Sequence, residues 1–71
     1  MKIAVVAGAG GFIGNHLVRY LKKNGYKVIG VDLKEPEFSP TQADDFVVAD
    51  LRDSSVAINL ITSEVDEVYQ L

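Results

Sequence analysis

Four glycines and one aspartate are the residues whose types and spacing could do chemistry here. Gly8, Gly11 and Gly14 recur at intervals of three in Gly8-Ala9-Gly10-Gly11-Phe12-Ile13-Gly14, with Gly10 between them. A stretch with so few side chains can turn tightly and let a ligand approach its backbone. If a helix starts there, its free N–H groups and the positive end of its dipole face that ligand, and a pyrophosphate is the natural guest. The spelling is G-x-x-G-x-x-G; the strict G-x-G-x-x-G pattern fails because its third glycine would fall on Ile13. Asp32 follows Gly14 by 18 residues, close to the roughly 20 expected between such a turn and a carboxylate that binds a ribose. Alone, the glycines would serve equally as a flexible turn, and Asp32 as a turn or cap residue. Together with the strand before them, the helix after them and a second strand ending in the acid, they form one βαβ fingerprint for the ADP half of a dinucleotide.

The elements that must position these residues follow from periodicity. Lys2–Ala7 is a continuous apolar, β-branched run, which predicts a central parallel strand covered on both faces. A helix is predicted from Phe12 to Asn24, with Ile13, Leu17, Val18 and Leu21 on one stripe, Lys22 and Lys23 in the last turn and Asn24-Gly25 as the C-cap signal. Lys27–Asp32 is the second strand, with Gly30 allowing close packing and Asp32 at the carboxyl end, where open α/β sheets bind ligands. Lys34–Asp45 is polar and holds both prolines, so it reads as a loop. Within it, Ser39-Pro40-Thr41-Gln42 has the spelling of a capping box and allows one short helical turn. Phe46–Ala49 is a short third strand. Asp53 or Ser54 caps a further helix whose apolar face is Val56, Ala57, Leu60 and Ile61, ended by Thr62-Ser63-Glu64. Asp66–Leu71 is a fourth strand. Right-handed crossovers then give an α/β architecture: a Rossmann-type half with a parallel sheet in the order 3-2-1-4, helices on both faces, truncated at strand 4. The glycine turn falls on the switch point between strands 1 and 4. Residues 1–71 are thus expected to be the N-terminal part of one NAD(P)-binding Rossmann domain, and the nicotinamide half of the site would need further strands.

Composition narrows the function classes. With 71 residues the chain is one small domain or a piece of one. There is no Cys, so no disulfide framework and no thiolate chemistry, and a single His rules out a multi-histidine metal site. Net charge is −3, which argues against nucleic acid or an anionic membrane as partner. The apolar run Ile3–Val6 is too short for a signal peptide before Ala7-Gly8-Ala9, and no run approaches a membrane span, so a cytoplasmic protein is expected. His16, without a partner carboxylate or second His in view, reads as a packed or capping side chain.

Gly8-Ala9-Gly10-Gly11-Phe12-Ile13-Gly14-Asn15-His16-Leu17 resembles the start of the extended short-chain dehydrogenase/reductases, the NAD-dependent epimerase/dehydratase family. In that resemblance Asp32 matches the ribose-binding acid, Ala49-Asp50-Leu51-Arg52 the third-strand motif whose aspartate and following backbone contact the adenine, and Val65–Leu71 the start of the fourth strand. Within the family, Gly-Ala-Gly-Gly-Phe-Ile with Val65-Asp66 and Val68 is most similar to the GDP-mannose 3,5-epimerase branch. Ala7 stands where the family usually has Thr, removing a hydroxyl that helps order the loop. The resemblance implies NAD as cofactor, held by Gly8, Gly10, Gly11, Phe12, Ile13, Gly14, Asp32, Asp50 and Leu51. It further implies a nucleotide-sugar substrate handled by the rest of the protein, and a homodimer at full length.

The family's catalytic pair, Tyr-x-x-x-Lys, is not in this segment. Asn24 and Gly30 stand four residues after Tyr20 and Tyr26, and Tyr69 is two residues from the end. A tyrosinate base needs a nearby ammonium to lower its pKa, so no catalytic residue is assigned here. Two functions of different class remain: the cofactor-binding start of a nucleotide-sugar epimerase or dehydratase, and a non-catalytic dinucleotide sensor that keeps the fold without the chemistry. A flavin protein on the same fold is disfavoured by the resemblance. NAD is expected over NADP, because Asp32 would repel a 2′-phosphate; Lys34, two residues on, is the group that could offset that repulsion.

Overall fold

A computed structural model of the chain describes residues 1–36 and 40–71. Its elements are β1 (Ile3–Ala7), α1 (Phe12–Lys23), β2 (Lys27–Asp32), β3 (Asp45–Val48), α2 (Ser54–Leu60) and β4 (Glu67–Gln70). The four strands form one parallel sheet in the order β3-β2-β1-β4, the order expected from the alternation of elements. Parallel neighbours need crossovers, and these are right-handed in nearly all proteins. Because β1→β2 steps one way across the sheet and β3→β4 steps the other, that rule puts α1 and α2 on opposite faces.

The core is built on the α1 face. Ala4, Val6, Ala9, Val18, Leu21 and Val28 are buried together, with Leu17, Tyr26, Ala43, Phe46 and Tyr69 packed against them. Val5 and Val31, which point to the other face by strand alternation, are also buried. Both faces of the centre of the sheet are therefore closed to water, as the unbroken apolar run of β1 requires. Gly30 permits this packing, since a Cβ there would sit 2.9 Å from the Phe46 ring and 3.0 Å from the Ala9 methyl.

Several boundaries and one face differ from expectation. Ile13 is 70% exposed and lies off the buried stripe of α1. The inward position of that first turn is Gly14, which stands one turn before Val18 and rotates Ile13 outward. Ile61 is the C-cap of α2 and is exposed, so the apolar face of α2 ends at Leu60. No residue of α2 is fully buried. Asp53 is the N-cap of α2, its side chain accepting from the Ser55 N–H. β3 begins one residue earlier than expected and releases Ala49, whose N–H still donates to the Asp32 carbonyl. Asp66 and Leu71 flank the four-residue β4 and bond to Ile3 and Ala7. Asn24 caps α1, and Gly25 follows at φ +81°, the left-handed C′ position that glycine fills at least cost. Of the possible short helical turn, Ser39 lies outside the described residues, and Pro40, Thr41 and Gln42 are not helical.

The connection before β3 is tied down at its end. The Asp44 carboxylate accepts from the Val28 N–H at 2.7 Å and from Lys22 Nζ at 2.9 and 3.0 Å. These two donors, Val28 first, hold its carboxyl below the usual carboxylate range. The start of β2 and the end of α1 are thereby locked together, which sets where β2 delivers Asp32 at its other end.

Candidate functional site

Site geometry begins where β1 runs out. Gly8 has φ +88°, a left-handed conformation that other residues adopt with strain, and it turns the chain out of the sheet. The N–H groups of Gly8 and Ala9 both donate to the Val31 carbonyl at the end of β2, at 2.8 and 3.2 Å. Gly10 N donates to Asp32 Oδ2 at 2.8 Å, and Gly11 N to the Gly8 carbonyl at 3.2 Å. The turn is strapped across the carboxyl ends of β1 and β2, and then α1 starts.

Gly11 is the N-cap of α1, and having no side chain it supplies no cap to the helix itself. Its first turn holds no acidic residue, while Lys22 and Lys23 occupy its last. The first helical bond runs from Asn15 N to the Gly11 carbonyl, so the N–H groups of Ile13 and Gly14 precede it and have no intrahelical partner. α2, by contrast, carries its own acidic cap in Asp53. The positive end of α1, with no acidic residue in its first turn, suits an anion.

The glycines of the turn have different surroundings. A Cβ on Gly14 would lie 2.0 Å from the Gly8 carbonyl oxygen, so this glycine lets the helix seat against the turn. A Cβ on Gly11 would meet only the Gly8 oxygen, at 3.6 Å, an ordinary contact. Space in front of Gly11 is therefore open, as close approach of a ligand requires.

Beside the turn is a cleft of about 350 Å³ at the carboxyl ends of all four strands. Ala7 and Gly8 line it from β1, Val31, Asp32 and Leu33 from β2, Ala49, Asp50, Leu51 and Arg52 from beyond β3, and Gln70 and Leu71 from β4. It lies at the switch point, where strand order reverses between β1 and β4. Of the residues predicted from sequence, Gly8, Asp32, Asp50 and Leu51 share this cleft, and Gly10 reaches it through its bond to Asp32. Gly11, Phe12, Ile13 and Gly14 form the adjoining turn and helix start rather than the cleft wall. Sequence reasoning missed Ala7, Val31, Leu33, Ala49, Arg52, Gln70 and Leu71 as lining residues. Their common signal is position: each lies in the last two residues of a predicted strand or follows one.

Two carboxylates give the cleft its polar character. Asp32 accepts Gly10 N on Oδ2 and Leu33 N on Oδ1, the latter at 2.6 Å. Each oxygen keeps acceptor capacity, since a carboxylate offers about four lone-pair sites. Asp50 is gripped by Arg52: Nη2 donates to Oδ2 at 2.8 Å, Nε to both oxygens at 3.1 Å, and the Arg52 backbone N–H to Oδ1 at 2.9 Å. The Arg52 guanidinium, and then its backbone N–H, hold the Asp50 carboxyl below the usual carboxylate range. The cleft thus presents two carboxylate acceptors to hydroxyl or amine donors, beside a helix start without an acidic residue and suited to an anion. His16 is exposed and sets its ring edge-on against Phe12, with centroids 4.7 Å apart. Among the described residues no helix is long and apolar enough to cross a membrane.

Comparison with known proteins places this arrangement. The chain is 38% identical to the GDP-mannose 3,5-epimerase of Arabidopsis thaliana, in an alignment covering all of this chain and 19% of that protein. It is 37% identical to GDP-mannose 3,5-epimerase 1 of Oryza sativa subsp. indica, over 93% of this chain and 18% of that protein. A solved structure of UDP-galactose 4-epimerase superposes with a TM-score of 0.78 at 33% identity, covering 99% of this chain and 23% of that one. The chain therefore spans about a fifth of the length of these relatives. The model of the NAD dependent epimerase/dehydratase family matches residues 4–71, and with that match extending from β1 through β4, this chain belongs to that family.

Proposed function

We propose that this segment binds the ADP half of NAD as the N-terminal part of one Rossmann domain, in a full-length nucleotide-sugar epimerase or dehydratase. The observation that carries the reading is the joining of three features at one switch point: the open face of Gly11, the acid-free first turn of α1, and the cleft holding Asp32 and Asp50. The pyrophosphate lies against the turn and receives N–H groups of the first turn of α1. Asp32 accepts from the ribose hydroxyls and Asp50 from the adenine amine, with Leu51 beside the base. When bound, NAD supplies reversible hydride transfer with the sugar, while the protein orients and encloses the reactants. The named relatives act on GDP-mannose and UDP-galactose, so a nucleoside-diphosphate sugar is the substrate class, with GDP-mannose favoured by the similarity to the 3,5-epimerases. The catalytic residues lie outside these 71 residues, and a homodimer is the expected assembly.

Cofactor choice tests the reading. A charge of nearly −2 on the 2′-phosphate of NADP would face the Asp32 carboxylate, and the ribose hydroxyl bond would be lost as well. Calorimetric titration of the full-length protein should show NAD bound at least about tenfold more tightly than NADP, or about 1.4 kcal/mol. Asp32→Ala should lose most of that ratio. Equal affinities in the wild type, or a ratio that survives Asp32→Ala, would show that the carboxylate does not face the ribose.

A further inference from the structure

We infer that Asp32 also holds the glycine turn in the shape that receives a pyrophosphate, a positioning task separate from any ribose contact; the inference rests on the nucleotide-binding reading above. Backbone amides 8–11 are all spent within the protein: Gly8 and Ala9 on the Val31 carbonyl, Gly10 on the Asp32 carboxylate, and Gly11 on the Gly8 carbonyl. Three of these four bonds tie the turn to the last two residues of β2. Two of the three end on a backbone carbonyl, which every sequence supplies. Of the three, only the Gly10 bond, at 2.8 Å, ends on a side chain, so it is the tether whose acceptor a substitution can remove.

The fit around that tether is close. A Cβ on Gly10 would lie 2.9 Å from Asp32 Oδ2 and 2.6 Å from the Lys34 carbonyl, so the bond forms at this length only because residue 10 is glycine. The second carboxylate oxygen accepts Leu33 N at 2.6 Å, which fixes the carboxylate plane. Register explains the reach: Ala7 pairs with Val31, so Asp32 comes level with the turn just beyond Ala7. With amides 8–11 committed, the anion is directed to the amides of the helix start. A turn released from Asp32 could redirect Gly10 N and open competing geometries, at an entropic cost to binding.

Two variants separate this task from the ribose contact. Asp32→Asn and Asp32→Ala remove the same charge and both lose the exposed Leu33 bond to solvent, but Asn keeps one carboxamide oxygen able to accept from Gly10, and Ala offers no acceptor. Inorganic pyrophosphate carries no ribose and is the probe, titrated into the full-length protein and both variants. Amide hydrogen exchange over residues 8–11 is followed in the same proteins without ligand. Losing one such hydrogen bond should speed exchange at Gly10, and weaken pyrophosphate binding, by about fivefold in the Ala variant relative to the Asn variant. Equal exchange and equal pyrophosphate affinity in the two variants overturn the inference and leave the nucleotide-binding reading intact. Failure of the wild type to bind pyrophosphate overturns the reading itself, and with it the claim that the tether serves a ligand.

Discussion

Alanine at Gly14 and alanine at Gly11 are the same chemical change three residues apart, and the structure sets their consequences apart. At Gly14 the new methyl would lie 2.0 Å from the Gly8 oxygen, 2.8 Å from the Gly8 carbonyl carbon and 2.9 Å from the Ala9 Cα. A comfortable carbon–oxygen contact is about 3.3 Å or more, so helix and turn must part by about 1.3 Å. All three atoms are backbone, and no rotamer change relieves them. Overpacking of this kind costs about 1–3 kcal/mol or more, against a gain of about 0.5–1 kcal/mol from replacing a helical glycine. A net loss of about 2 kcal/mol is expected, roughly a thirtyfold fall in the folding equilibrium constant. At Gly11 the backbone is at φ −81° and ψ 173°, which any residue adopts, and the nearest atom stands at 3.6 Å. Glycine's advantage over alanine as an N-cap opposes the entropy removed from the unfolded chain, so stability should stay within about 1 kcal/mol of wild type. The methyl would, however, occupy the face proposed to receive the pyrophosphate, and Gly11→Val more so. Urea unfolding of the full-length protein measures the first effect and NAD titration the second. Gly14→Ala unfolding at the wild-type urea midpoint would refute the packing argument, and Gly11→Val binding NAD as well as wild type would refute the cradle.

Stability should fall in strong alkali through the Glu67 cluster, where Glu67 accepts from Tyr69 and Tyr26 hydroxyls with Lys2 Nζ at 3.8 Å. The Glu67 hydrogen bond is the first cause that pushes the Tyr69 hydroxyl up to about 12 from its ordinary 10.0, so its contribution is complete below pH 10 and is lost as pH rises toward 12. The Glu67 carboxyl is lowered by Tyr69 and then Tyr26, so its own contribution is present above its ordinary value of 4.5 and is lost as pH falls below that. Urea midpoints measured from neutrality to pH 12 should drop less steeply in Glu67→Gln than in wild type; parallel curves would discount the cluster. Separately, residues 1–71 expressed alone should lack a sharp monomeric unfolding transition, because α2 buries no residue fully and Ile58 and Val68 are 74% and 45% exposed. A cooperative urea transition of a monomer would contradict that.

Strands and their order were legible because they depend on features a sequence carries locally. Continuous apolar runs mark strands covered on both faces, and handed crossovers leave few ways to arrange them. The contacts between elements were not legible. Gly10 and Asp32 are 22 residues apart, and Tyr26 and Glu67 are 41 apart. Each pair meets only because parallel register sets β2 and β4 against β1 as it does. Ile13 falls on the apolar stripe because periodicity counts apolar side chains and gives no weight to a glycine; the buried position is Gly14, one residue on. The same limit applies to the motif itself. Gly8, Gly11 and Gly14 read as one pattern, yet Gly8 is needed for its positive φ, Gly14 for the carbonyl 2.0 Å from its missing Cβ, and Gly11 for the space it leaves open. A glycine in a sequence records only that a side chain is absent. Whether backbone strain, a neighbouring carbonyl or an incoming ligand excludes that side chain is decided by the surroundings, and of the three causes only the ligand bears on function.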